Sequence, residues 1–507
     1  MRLLSRPEEQ DSLSEPPRVA EANTEADNGI LDGKITRRQA ISRMGGVAAV
    51  VVVAAVAGAG GYYLLQQQSK PGGSTQTIAP GTTLVYLGDG VDLGQTAINE
   101  FKSETTVGIN FTSIDFFTLQ QKLLATGGTG FDIAFTGRIR DLVKAGYIAP
   151  IDVTLLPRWK TSDLEPLINN PGSFLGANYV TRFNYLLWAT LGSKLNALNN
   201  IWNYDSVSYN PNVLPFQENG GQTTTISYKE LFNPSWKGKV ALQDEGLTTF
   251  SETANMLEGS KQIPAVADTV TNLTQGELTS VVNYLSPIIK TGQVKTFWSD
   301  LGTIITLMST SEVLAASTWQ PVCYGTRDAG TPCYYARLEN GPFFWWNGDF
   351  LPSHYDTSKQ AADYAFFNFM MSPWWAANTA HNGYGTANAL SPDVKSFMGD
   401  EFWGWMFSGT ATYQPLSKII TDTWGSTHPE FASLPARVQS ALFTPDKYFP
   451  TGATPRTGSP DPNGVTRDLG SISDKNKITR YFLSPDFPDN PTLYTNQWAS
   501  LKATVPA

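Results

Sequence analysis

Asp244 and Glu245 are neighbouring acids that close the apolar run Val240–Leu242. Paired carboxylates can do acid/base work. Adjacent side chains on a strand point to opposite faces, however, so a dyad here would need a bent backbone. The pair fits better as an acidic edge facing a ligand, and the plain alternative is a pair of solvated loop acids. The chain has three histidines, His354, His381 and His428, spaced too widely for a metal site with cysteine. It has no G-x-S-x-G and no phosphate-binding loop. No catalytic residue, metal or cofactor is therefore expected. The aromatic content offers a different chemistry, with 14 Trp and 12% aromatic residues overall. Phe343, Phe344, Trp345 and Trp346 are consecutive. In an extended segment alternate side chains face opposite sides, so at least one of Trp345 and Trp346 should line a cleft or an interface. Indole faces stack flat solutes and attract cations, and the alternative is simply an aromatic-rich core.

These residues need elements to place them. Strands are expected at Thr83–Leu87, Val107–Ser113 and Phe131–Thr136, alternating with helices at Gly94–Lys102, Phe117–Thr126 and from Asp141. Such alternation builds a parallel α/β sheet with right-handed crossovers, which binds ligands beyond the carboxyl ends of its strands. That rule gathers Gly88, Asp89, Gly137 and Arg138 at one rim. Arg138 either faces the ligand, where it would repel a cation, or pairs with Asp132, Asp141 or Asp244. Tyr179–Leu191 is apolar and β-prone. Further helices are expected at Thr249–Gly259, Gln275–Thr291 and Lys359–Met371. Val313–Thr318 should be a buried strand ending at Trp319 and opening into a loop. A turn at Arg327–Pro332 and a strand at Cys333–Arg337 should follow. From about 396 to 480 the pattern is irregular.

A chain of 507 residues exceeds the ~250–300 over which a single core grows, so two lobes are expected. A net charge of −9 argues against a nucleic-acid partner. Residues 1–34 form a polar, acidic tail without apolar period. Thr36-Arg37-Arg38-Gln39-Ala40-Ile41 resembles a twin-arginine signal, followed by an uncharged apolar run from Met44 to Leu65. That run is long enough to span a bilayer, so 35–65 is expected to be a retained membrane anchor in preference to a cleaved signal, with 66–80 as its linker. Cys323 and Cys333 are the only cysteines. An even pair on the exported side suggests one disulfide; the alternative is two thiols on facing strands.

Three segments carry a family resemblance. Glu312–Pro352 contains a strand ending in Trp319, the turn Ala329-Gly330-Thr331-Pro332, the pair Phe344-Trp345 and the strand Phe350-Leu351-Pro352. Glu230–Leu242 reads ELFNPSWKGKVAL, and a helix pattern from Ala361 leads into HNGYGTANA, ending at Ala389. In this order they resemble the spermidine/putrescine-type binding proteins of ABC importers over roughly 83–395. The resemblance implies a two-lobed, type II periplasmic-binding-protein-like α/β fold. Lobe one would comprise 81–186 and 346–395, and lobe two 187–345 and 396–507, with the chain crossing between them near 179–191. It implies aromatic walls at Trp319 and Trp345. Polar ligand ends would fall to Asp89, Glu245 and Asn347; Asp244, from the acidic edge, and Arg138, which stands where the family has small hydroxyl and Tyr residues, are further candidate ligand contacts. Asn347 stands where the family has an acid, and Thr248 stands where it has a second one, so a strict diamine preference is weakened. Expected partners are a small polar solute and ABC permease subunits, at the cell surface or in the periplasm. The rivals are an exported carbohydrate-active enzyme with two cleft carboxylates and a tethered sensor without a transporter.

Overall fold

The computed structural model describes residues 77–407 and 481–504, apart from short stretches at 89–92, 115, 211–212, 215–225, 330, 332, 382–383, 399–402, 405–406 and 483–487. The acidic tail, the signal or anchor, most of the linker, Asp89 and most of 396–480 lie outside the described residues. Among those described, no helix is long and apolar enough to cross a membrane.

The amino-terminal third alternates as its periodicity predicts. Strands Thr83–Gly88 (β1), Gly108–Ser113 (β2) and Ile133–Thr136 (β3) are interleaved with helices Gln95–Thr105 (α1), Phe116–Thr126 (α2) and Ile139–Ala145 (α3). Ala97, Ile98 and Phe101 form the buried stripe of α1, and Thr106 ends that helix with a left-handed φ of 65°. Short pieces follow: β4 (Ile148–Ala149), β5 (Ile151–Asp152), α4 (Pro166–Asn169), α5 (Ala177–Leu187), β6 (Trp188–Thr190) and β7 (Lys194–Leu195). Then comes the longest strand, β8 (Leu198–Tyr209), all twelve residues of which are buried. Beyond it lie β9 (Val240–Gln243), α6 (Gly246–Gly259), α7 (Gln275–Lys290), β10 (Val294–Trp298), α8 (Leu301–Ser309), β11 (Ala315–Thr318), α9 (Gln320–Asp328), β12 (Tyr334–Tyr335) and β13 (Phe343–Pro352). Helices α10 (Gln360–Phe369), α11 (Pro373–His381) and α12 (Pro392–Met398), strand β14 (Tyr481–Phe482) and helix α13 (Pro491–Lys502) complete the order. Helix α7 starts on a capping box, Thr274 and Glu277 each bonding the other's backbone N–H.

An eleven-stranded sheet runs β10-β9-β11-β8-β13-β3-β1-β2, with β12 on β8 and β4 and β14 on β13. Each flank is parallel: β3, β1 and β2 on one side, β11, β9 and β10 on the other. Between them β8 and β13 pair antiparallel, with Trp345 opposite Asn203 and Phe343 opposite Asp205. The apolar interior divides into two clusters. Strand β8 feeds the first through Tyr204 and the second from Val207. Strand β13 feeds the second through Phe343 and the first from Phe344.

Three sequence expectations are corrected here. Tyr179–Leu191 is not a crossing strand. Its aromatic and branched residues form one face of α5, which buries Phe183, Leu186 and Leu187, and only its end is extended. Trp319 does not open into a loop, because α9 begins at Gln320. Cys323 and Cys333 are not joined by a disulfide. Helix α9, rather than a hairpin loop, occupies the segment after Cys323, and both thiols are buried in the first cluster.

Candidate functional site

Two strand exits face each other across the sheet. On the first flank β3 ends at Thr136, whose hydroxyl accepts the Arg138 N–H at 3.0 Å, and Arg138 then caps α3. On the second flank β9 ends at Gln243, and Glu245 stands at the N-cap of α6. The Arg138 guanidinium donates from Nη2 to Glu245 Oε1 at 2.5 Å. Thr248, one turn into α6, donates to the other carboxylate oxygen at 2.7 Å. Arg138 thus pairs with Glu245, an acid that the sequence had not offered as its partner. Asp132 is taken by Lys359 and by the Val85 N–H.

The neighbouring acids point apart, as strand geometry requires. Asp244 accepts from Trp498 Nε1 at 2.8 Å and from Lys502 Nζ at 2.5 Å, both on α13. Gly246 must be small, because a Cβ there would lie 2.8 Å from the Trp498 side chain. Asp244 therefore fixes the strand exit to the carboxy-terminal helix while Glu245 turns to Arg138.

The alternating aromatics divide similarly. Trp346 is fully buried in the first cluster. Trp345 donates its indole N–H to Asp205 Oδ1 at 2.6 Å and sets its ring against Tyr384, with centroids 5.7 Å apart. Gly385 follows Tyr384 and bridges Trp202; a Cβ there would fall 2.3 Å from the Trp202 ring. Trp319 is half-buried and meets Trp298 edge to face at 5.1 Å. Asn347 is half-buried on β13 opposite Ile201, just before the register shifts.

Asp205 was not anticipated from the sequence. It sits in β8 at 1% exposure, and Gln243 Nε2 lies 3.4 Å from its second oxygen. Burial, then the neighbouring Glu252, pushes its carboxyl well above the usual range, against the bonds from Trp345 and Gln243. Glu252, on α6, accepts from Ser317 at 2.6 Å and from the Tyr228 hydroxyl. Burial raises it to about 8, so it is mostly protonated at neutral pH. An acid inside a β-prone run was the available signal for Asp205. Glu252 carried none, since every residue of α6 from Gly246 to Leu257 is buried and no polar face sets it apart.

The arrangement can bind. It offers indole edges and faces, one charged pair and two carboxyl groups beside the crossing strands. Among the described residues no group of three or more metal-ligating side chains occurs.

A family model described as bacterial extracellular solute-binding protein matches residues 96–403. Among solved structures, the chain is similar to the spermidine/putrescine ABC transporter substrate-binding protein PotD from Streptococcus pneumoniae. The two share 15% identity at a TM-score of 0.51, over 84% of this chain and 100% of that one. A putative spermidine/putrescine ABC transporter protein from Listeria monocytogenes is similar at 16% identity and a TM-score of 0.50, over 83% and 99%. At these identities the likeness is one of fold.

Proposed function

Because the chain belongs to the bacterial extracellular solute-binding protein family, we propose that it captures a small polar solute, polyamine-like or related, and presents it to the membrane subunits of an ABC importer. Binding proteins hold their ligand without chemistry, and no residue here is assigned a catalytic role. The observation that carries the reading is the Arg138–Glu245 bridge between two strand exits, with Trp345 and Asp205 beside it. Open α/β sheets take ligands at such exits.

The two lobes are drawn from 81–186 with 346–395 and from 187–345 with 396–507, closing about β8 and β13. The two apolar clusters do not follow this division residue by residue, since the first also takes in Trp298, Ile304, Met308, Val322 and Cys333. Trp319 and Trp345 are the proposed walls. Asp89, Glu245 and Asn347 would fix polar ends of the ligand, and Asp244 would hold the strand exit in place. With Arg138 already neutralising Glu245, a zwitterion or a neutral polar solute competes with a diamine. The 35–65 segment is proposed as a twin-arginine signal retained as an anchor. Membrane fractionation with amino-terminal sequencing tests this, and a soluble mature protein starting near Tyr62 would refute it.

The test of function is mass spectrometry of small molecules released from the purified protein, followed by calorimetry with each. A stoichiometric polar solute is expected. Its absence, together with hydrolysis of a glycan substrate, would favour an exported carbohydrate-active enzyme.

A further inference from the structure

A groove of about 420 Å³ lies on the first flank, away from Arg138 and Glu245, between the segment leading into α4 and the end of α5. This volume falls within the ~300–1,000 Å³ usual for small-ligand sites. Trp159, Thr161, Asn169, Asn184, Trp188 and Leu191 are among the residues that line it, and none of its lining residues is charged. Two of the charges that flank the lining in sequence are turned elsewhere. Arg158 reaches back to Glu104 at 2.9 Å and to the Asn368 carbonyl at 3.0 Å. Arg182, two residues before Asn184 on α5, is held by Asp268. Trp159 and Trp188 meet at right angles with centroids 5.9 Å apart, making an indole corner. Among the described residues, neither indole N–H and neither side-chain amide of Asn169 and Asn184 has a hydrogen-bond partner. Leu191, at 70% exposure, is the most exposed large apolar residue described and forms one lip.

We propose that this groove is a second binding site, for a neutral polyhydroxylated ligand of the glycan class. Unpaired amides and indole N–H groups supply donors and acceptors suited to hydroxyls. The indole corner suits the apolar face of a sugar ring, which buries C–H groups while its hydroxyls stay directed outward. A charged ligand would find no counter-ion in the groove. The inference rests on this groove alone and stands whatever the strand-exit site binds.

The experiment uses calorimetry and ligand-observed NMR on the purified protein. The probes are cellobiose and N,N′-diacetylchitobiose, with a glucuronate-containing disaccharide as charged control. Saturable millimolar or tighter binding of a neutral disaccharide is expected. Trp159→Ala and Asn184→Ala should each weaken it by roughly tenfold or more, while Trp345→Ala leaves it unchanged. Asn184→Ala removes an amide without hydrogen-bond partners, so it keeps the test valid if Trp159→Ala fails to fold. Absence of saturable binding overturns the proposal, as does binding that survives both groove variants. Cross-linking of a membrane protein through Leu191, with no sugar bound, would also overturn it and make the groove a docking face.

Discussion

At the scale of single residues, the buried carboxyl groups in and beside the crossing strands carry the sharpest consequences. Glu252 has a folded value near 8 against an ordinary 4.5. The folded chain therefore keeps a proton that the unfolded chain gives up, and the stability this supplies is complete at low pH. It is lost as pH rises through that window, at up to ~1.4 kcal/mol per unit. Glu252→Gln keeps an acceptor for Tyr228 and Ser317 and removes the titration. The denaturant midpoint of the variant should fall less steeply between mildly acidic and mildly alkaline pH than that of the wild type. Equal slopes would mean that Glu252 does not titrate in this window. Trp345 belongs to the same group. Its indole is an anchor tied to Asp205, so Trp345→Ala should weaken the proposed solute by roughly 2 kcal/mol, about thirtyfold, in calorimetry. Unchanged affinity in a cooperatively melting variant would remove Trp345 from the site.

At the scale of elements, close approach decides the fold more than propensity does. Gly385 lets its segment bridge β8 at Trp202, and Gly385→Ala would drive a methyl into that buried ring. Overpacking of this kind costs ~1–3 kcal/mol, so the variant should melt several degrees lower. An unshifted melting curve would show that the segment can move aside. The alternating strands and helices from Thr83 to Ala145 were legible from short apolar runs and from stripes such as Ala97, Ile98 and Phe101 on α1. The exits carrying Arg138 and Glu245 were legible because each follows a strand, β3 and β9. The crossing element was not. Leu198–Tyr209 is buried on both faces, so its Asn, Asp and Ser residues hide the alternation by which a half-exposed strand is recognised. Tyr179–Leu191 has strand-like composition yet forms a helix, because three of its apolar residues meet the core at helical spacing. The partner of Arg138 was equally unreadable, since it lies 107 positions away on the opposite flank.

At the scale of the whole molecule, one exposed carboxylate ties the two flanks together. Asp489, just before α13, meets Arg140 and Lys144 of α3, Arg182 of α5 and the side chain of Asn272. Removing it in Asp489→Ala should loosen the two flanks against each other, which small-angle scattering would read as a larger radius of gyration for the unliganded protein at low salt. Added salt should shift the wild type toward the variant, since partly exposed pairs are screened. Identical scattering curves would show that the flanks are held by packing alone. The carboxy-terminal helix also closes the second cluster. Tyr494 and Trp498 pack on Phe250, Trp498 caps the exit of β9, and the Leu273 N–H reaches the Tyr494 hydroxyl. That contact has a cost in time during synthesis. Roughly 250 residues separate Asp244 from Trp498, so at ~5–20 residues per second the ribosome needs on the order of ten to fifty seconds to deliver the lid. For that interval the second flank stands open in the cell, a client for chaperones.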